Sequence, residues 1–259
     1  MIKIYSGDIG TIDRETADRL LACLGAERKE RVTRYKRERD RLLGIGAGAL
    51  LSLAVSERLQ RGGSNAADTD VVFCEPDAKK GAVCGAHAHR NPGADMLLIE
   101  VDFSSLVTDG FPSPAELETG KGEHGKPYLK RHTEFHYNLS HSGTKVMLAC
   151  SDSEIGCDIE KIGPVRERVV KKAFAPAERA YVDAAEGTER DRRFTEVWTR
   201  KESFLKASGT GIDRVLGTFS VIGEDGQPVK TIVSEEGQYD VYCPAEVSGY
   251  ECFLCVKRG

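Results

Sequence analysis

Two carboxylates set two residues apart, Asp158 and Glu160 in the run Gly156-Cys157-Asp158-Ile159-Glu160, are the first chemistry that the sequence offers. On a strand, residues i and i+2 share a face, so the two acids point one way while Cys157 and Ile159 point the other. Like charges so placed repel unless a cation lies between them, and such oxygen ligands suit Mg²⁺ holding a phosphorylated substrate. Taken alone, the pattern equally describes the solvated outer face of an edge strand. A second group lies in Trp198-Thr199-Arg200-Lys201-Glu202-Ser203-Phe204-Leu205-Lys206. Trp198, Glu202 and Lys206 recur every four residues and form one helical stripe, an aromatic, an acid and an amine in order. An ordinary solvent-facing ion pair beside a core tryptophan would show the same spacing.

Two further runs can bind anions. Tyr137-Asn138-Leu139-Ser140-His141-Ser142-Gly143 puts hydroxyls and an imidazole at what reads as the end of a strand. Sequence neighbours rarely have triad geometry, and no G-x-S-x-G elbow surrounds Ser140, so a nucleophilic serine is not indicated. In Gly125-Lys126-Pro127-Tyr128 the glycine and proline fix the backbone around a cation that can meet a phosphate, or else form a plain surface turn.

The elements that must position these residues follow from periodicity. Ile2 to Tyr5 alternates as a strand, and Asp13 to Leu24 is apolar at helical spacing, with Gly25 as its C-cap. Leu42 to Leu59 is predicted to be a buried helix closed by Gly62-Gly63. Between about 61 and 95 the composition turns to Gly, Asn, Asp and Pro, an inserted loop with a short strand at Val71 to Cys74; Asp109 to Gly125 is polar as well. Phe135 to Leu139 runs into a turn at Ser140 to Gly143, Lys145 to Cys150 makes the returning strand, and Ile155 to Ile159 continues as a third. Helices are expected at Arg168 to Phe174, at Pro176 to Ala185, and at Arg192 to Ser208 with Gly209 as stop. Thr218 to Val256 has short β-rich runs separated by Gly-containing turns. The class is α+β.

Composition bounds the rest. With 40% hydrophobic and 30% charged residues and a net charge of −4, the chain is a globular one that can bury a large core. No run approaches the roughly 20 apolar residues of a membrane span, and the N-terminus lacks a signal-peptide layout, so a cytoplasmic protein without membrane partners is expected. The 8 cysteines then read as reduced thiols. Mild acidity argues against a surface built for nucleic acid. Charge is segregated, however: residues 27 to 41 hold eight basic residues against four acidic ones. Cys74, Cys84, His87 and His89 match no standard zinc finger, and the Cys252-x-x-Cys255 run lacks the helix start of a thioredoxin motif.

In order and spacing, Gly125-Lys126-Pro127, Asn138-Leu139-Ser140-His141-Ser142, Gly156-Cys157-Asp158-Ile159-Glu160, Phe174-Ala175-Pro176-Ala177-Glu178 and Trp198-Thr199-Arg200-Lys201-Glu202 with Lys206 closely resemble the 4'-phosphopantetheinyl transferases of the surfactin-synthetase-activating type. The resemblance is strong over 125 to 212 and fainter over the basic segment and the Leu-Leu-Gly helix start that follows it. It implies a monomeric pseudo-dimer of two similar α+β halves, 1–124 with an insert near 62–95 and 125–259, with the active site in the cleft between them. It implies transfer of the phosphopantetheine arm of coenzyme A to a serine of an apo acyl or peptidyl carrier protein, with release of 3',5'-ADP. Asp158, Glu160 and Glu202 match the ligands of Mg²⁺, for which Mn²⁺ is an alternative. Asp158, Glu202 and Lys206 match the catalytic groups, and Lys206 lies beside the pyrophosphate. Lys126, Ser140, His141, Arg31 and Arg41 match groups that hold the nucleotide. The rival expectation is a catalytically silent module of the same fold that binds coenzyme A or a carrier protein. Carrier proteins are typically acidic, so the basic segment is also a candidate docking surface.

Overall fold

A computed structural model describes residues 1–62, 86–91, 95–106, 111, 116–122, 124–211 and 216–259, with the side chains of 60–62 and 86–91 left aside. The chain opens with β1 (Ile2–Asp8), then α1 (Arg14–Ala22), α2 (Ala26–Thr33) and α3 (Glu38–Gly62). Next come β2 (Ala86–Asn91), β3 (Met96–Val101) and a small pair, β4 (Thr119–Lys121) with β5 (Pro127–Leu129). A hairpin of β6 (His136–Ser142) and β7 (Lys145–Ser151) leads to β8 (Ile155–Lys161). Helices α4 (Glu167–Ala173), α5 (Pro176–Asp183) and α6 (Gly187–Ser208) follow, and β9 (Thr231–Ser234), β10 (Gly237–Tyr242) and β11 (Tyr250–Lys257) close the chain.

The strands form two main sheets, in the orders β2-β3-β1-β7-β6 and β8-β11-β10-β9. Alternation along each strand explains how they stack. Tyr5, Val146, Leu148 and Cys150 face α1 and α3 in one core. From the opposite face of the same strands, Ile4, Met147 and Ala149 meet Cys157, Ile159, Cys252 and Leu254 of the second sheet. The far face of that sheet, with Tyr239, Phe253 and Cys255, packs on α6 through Phe204, Leu205 and Ala207. The result is helix, sheet, sheet, helix, with each fully buried large aliphatic side chain worth about 1.5–3 kcal/mol.

Several boundaries differ from the sequence reading. The strand ending in polar residues does not stop at Leu139: Ser142 still pairs with Lys145, and the turn is Gly143-Thr144, with Gly143 at φ 59°. Polar residues persist there because their side chains serve a neighbouring strand, described below. Gly25 is the N-cap of α2, not the end of α1. Helix α6 starts at Gly187, and Gly209 ends it at φ 71° as expected of a left-handed cap. The first sheet takes in β6 and β7, beyond the expected division at 124/125, and the ladders change partner only between Ser151 and Ile155. The segment Glu38–Leu59 within α3 does reach spanning length and apolarity, and 78% of its most apolar window is buried in this core. The strand expected at Val71 to Cys74 and the thiols of Cys74 and Cys84 fall outside the described residues.

Candidate active site

β6 and β8 are the outermost strands of their respective sheets, and they meet side by side. No backbone ladder joins them. Instead, alternate side chains of β6 accept hydrogen bonds from alternate N–H groups of β8: Asn138 Oδ1 from Cys157 (3.0 Å), Ser140 Oγ from Ile159 (3.3 Å) and Ser142 Oγ from Lys161 (3.1 Å). Spacing of two on both strands keeps the three acceptors in register with the three donors. The hydroxyls then donate onward, Ser140 to Asp158 Oδ1 at 2.7 Å and Ser142 to Glu160 Oε2 at 2.7 Å. The seam therefore orients both acids of the Asp-x-Glu pair.

Helix α6 supplies the other half. A Cβ at Gly156 would lie 2.2 Å from both Ser203 O and Ala207 N, so α6 rests backbone to backbone on β8, which only glycine permits. This close approach brings Lys206 Nζ to 2.6 Å from Asp158 Oδ1 and 3.2 Å from Ser140 Oγ. Burial pulls the Lys206 ammonium down most strongly, but the Asp158 charge and hydrogen bond, with Cys157 and Glu202 nearby, together outweigh it and hold its pKa above the ordinary lysine value. Glu202, one turn earlier and buried, is pushed up to about 7, by burial first and by the Asp158 charge second. Glu160 is raised for the same two reasons against the opposing Ser142 hydrogen bond. Asp158 Oδ2 and Glu202 Oε1 are both buried without a hydrogen-bond partner.

On the other face of β6, His141 borders a cavity of about 570 Å³ whose floor is α3 and whose rims are α2 and the β4–β5 pair. Small residues make the room: a Cβ at Gly48 would strike Leu24 Cδ2 at 2.4 Å and Arg28 Cδ at 2.7 Å. Arg28, Arg31 and Lys121 line the cavity with His141 and the acids Glu27 and Asp40, a lining whose basic groups outnumber its acids and can meet an anionic ligand. Burial against the wall, with the nearby Lys206 charge, lowers the His141 pKa, so without an anion it is neutral at pH 7. Ser140, next to His141 on β6, bonds Asp158 and Lys206, so the one strand connects the cavity wall to that pair.

Of the residues singled out in the sequence, Asp158, Glu160, Glu202, Lys206 and Ser140 converge, and Arg31 and His141 share the cavity. Ser140 is turned into the seam and committed there to three partners. Lys126 donates to Ala207 O at 2.8 Å and thus meets the C-terminal end of α6. Arg41 lies near Asp18 and Glu38, at 3.8 and 3.7 Å, and does not line the cavity. Trp198 shares the Glu202 stripe but carries Arg166, whose guanidinium sits 5.2 Å from its ring centroid. The Arg166 charge partly offsets the rise in the pKa values of Glu160 and Glu202. Sequence reading missed it along with Arg28 and Asn138. Asn138 had a signal in its alternation with Ser140 and Ser142, and Arg28 in its place within the basic segment, whereas Arg166 had none.

The chain is similar to known proteins over the part that carries these residues. A family model described as the 4'-phosphopantetheinyl transferase superfamily matches residues 154–255, which carry both acids of β8 and all of α6. A 4'-phosphopantetheinyl transferase of Bacillus subtilis is 35% identical over 140 residues, 54% of this chain and 61% of that protein. The 4'-phosphopantetheinyl transferase Sfp of B. subtilis strain 168 is 31% identical over 157 residues, 60% and 69% of the two chains. The transferase ffp of B. subtilis is 30% identical over 193 residues, covering 74% of this chain and 86% of that one. On the strength of that coverage, the chain belongs to the 4'-phosphopantetheinyl transferase superfamily, as an enzyme of the Sfp type.

Proposed function

We propose that the enzyme transfers the 4'-phosphopantetheine arm of coenzyme A to a serine of an apo acyl or peptidyl carrier protein and releases 3',5'-ADP, with Mg²⁺ or Mn²⁺ as the working cation. The observation that carries this reading is the Asp158–Lys206 pair with two partnerless buried carboxylate oxygens, connected through Ser140 of β6 to the strand whose His141 borders the cavity.

The acid set fits a hard cation. Buried carboxylate oxygens without partners are costly, and a divalent ion would satisfy Asp158 Oδ2 and Glu202 Oε1, with Glu160 as third ligand. Among the described residues no three candidate ligands already surround one point. Mg²⁺ completes its shell with water and substrate phosphate, so the protein need not supply every ligand. Bound there, the cation supplies charge neutralisation on the pyrophosphate of the substrate.

The protein's own groups do the rest. Arg28, Arg31 and His141 hold the nucleotide phosphates by charge-assisted hydrogen bonds, and an anion next to His141 raises its pKa and protonates it. Lys206, fixed by Asp158 and Ser140, neutralises charge that develops on the leaving 5'-phosphate. The incoming serine hydroxyl gives up its proton to Glu202 or to a water next to it. A silent binding module would have no use for this set of groups and is the less favoured reading. The proposal includes a monomer acting in the cytoplasm. Incubation of apo carrier proteins with the enzyme, coenzyme A and Mg²⁺ is expected to add one phosphopantetheine mass. EDTA or Glu202→Ala should abolish the gain. Coenzyme A binding without transfer to any carrier would instead establish the silent module.

A further inference from the structure

The Cys252-x-x-Cys255 run does not pair its own thiols. Alternation along β11 sends Cys252 into the layer between the sheets and Cys255 under α6, where its Sγ lies 3.3 Å from Ser203 Oγ. Cys252 has a different neighbour. Cys243, exposed and just past the end of β10, and Cys252, buried on β11, both donate to the carbonyl oxygen of Ala245, at 3.6 and 3.1 Å, so the two sulfurs flank one acceptor. We propose that Cys243 and Cys252 form a reversible dithiol–disulfide pair that reacts with peroxides, a modification site separate from the transferase chemistry.

The two sulfurs are unequal in a way that suits this use. Cys243 is exposed and the neighbouring Cys252 thiol holds it below the usual cysteine value, whereas the buried Cys252 is raised. Burial pushes Cys150, Cys157 and Cys255 up to about 12, so they are poor nucleophiles. The Cys243 thiolate attacks hydrogen peroxide, an S–O bond forms as the O–O bond breaks, and hydroxide leaves. Cys252 then attacks the sulfenic sulfur, the S–S bond forms as the S–O bond breaks, and the departing hydroxide leaves as water with the Cys252 proton. Two thiols are oxidised by two electrons and one peroxide is reduced to water. The cross-link closes the connection between β10 and β11 next to the strand that pairs Phe253 with Asp158.

The test uses the full chain treated with hydrogen peroxide, quenched with catalase, denatured and alkylated with N-ethylmaleimide. Because no Lys or Arg lies between the two cysteines, cleavage after Glu246 and Glu251 is the informative digest. The expected result is a cross-link between the Gly237–Glu246 peptide and the peptide starting at Cys252. It should survive in Cys255→Ser, disappear in Cys243→Ser and be reversed by dithiothreitol. Sulfinic acid at Cys243 with Cys252 still alkylated would overturn the proposal. So would a Cys252–Cys255 link, or full alkylation of both thiols under peroxide excess that oxidises free N-acetylcysteine.

Discussion

Ser142 Oγ donates a 2.7 Å hydrogen bond to Glu160 Oε2 across the seam between two sheets that share no backbone ladder at that edge. The carboxyl it supports is already disfavoured by burial and by the charge of Asp158. Ser142→Ala should therefore raise the Mg²⁺ concentration needed for half-maximal transfer by about 10- to 100-fold, with most of kcat recovered at saturating Mg²⁺. A Mg²⁺ titration of the transfer rate reads this directly. An unchanged midpoint would remove Glu160 from the cation's ligands.

The raised pKa of Glu202 makes stability depend on pH in the metal-free enzyme. Its folded value of about 7 exceeds the ordinary 4.5, so the folded state holds more protons between those limits. Stability then falls as pH rises from about 4.5 to about 7 and levels off above. In EDTA, the melting temperature of the native enzyme should drop across that window relative to Glu202→Gln. Mg²⁺ should restore it at pH 8. Parallel melting curves for the two proteins would contradict the assignment.

Not every polar residue in the Trp198 to Lys206 run serves the chemistry. Lys201 is fully buried and donates to Glu178 Oε1 and Oε2 at 2.8 and 2.9 Å and to Phe219 O at 2.7 Å, while Glu178 also accepts from Ala175 N and Val221 N. The pair is completely satisfied, so removing one partner strands the other. Lys201→Met should cost about 3–5 kcal/mol in urea unfolding, and the double change with Glu178→Leu distinctly less. Equal losses in the single and double variants would mean that packing, not the ion pair, sets the cost.

The basic segment divides by geometry into two uses. Arg31 lines the cavity, whereas Arg34 is exposed and pairs with Glu30, and Lys36 is exposed outside the cavity. Charge reversal at Arg34 and Lys36 should raise the KM for an acidic carrier protein several-fold at low salt and leave the KM for coenzyme A unchanged. Arg31→Ala should do the opposite. Steady-state kinetics with each substrate varied separately distinguishes them, and an unchanged carrier KM at low salt would end the steering idea.

The acids and amine of the site were legible because their spacing is local: two residues on β8, four on α6. What Ser140 does was not, since a strand ending in hydroxyls reads as a turn until the strand that uses those hydroxyls is alongside. Lys126 shows the same limit, because a cation between glycine and proline does not disclose that it meets a helix end 81 residues further on. Arg166 lacks a motif altogether, and its position over Trp198 comes from tertiary packing. The stacking of two sheets was hidden for a related reason: β1, β6 and β7 unite residues from both ends of the expected boundary at 124/125.

The seam between β6 and β8 also bears on solubility. Each of these strands is the last in its sheet, and an outer strand with free N–H groups is a template for pairing with another molecule. By capping the β8 amides with Asn138, Ser140 and Ser142, the chain turns two such edges inward against each other. At the opposite margin of the second sheet, β9 is only 4 residues long, too short to recruit a stable intermolecular strand. The same three side chains that aim the acids thus help to keep copies of the enzyme apart.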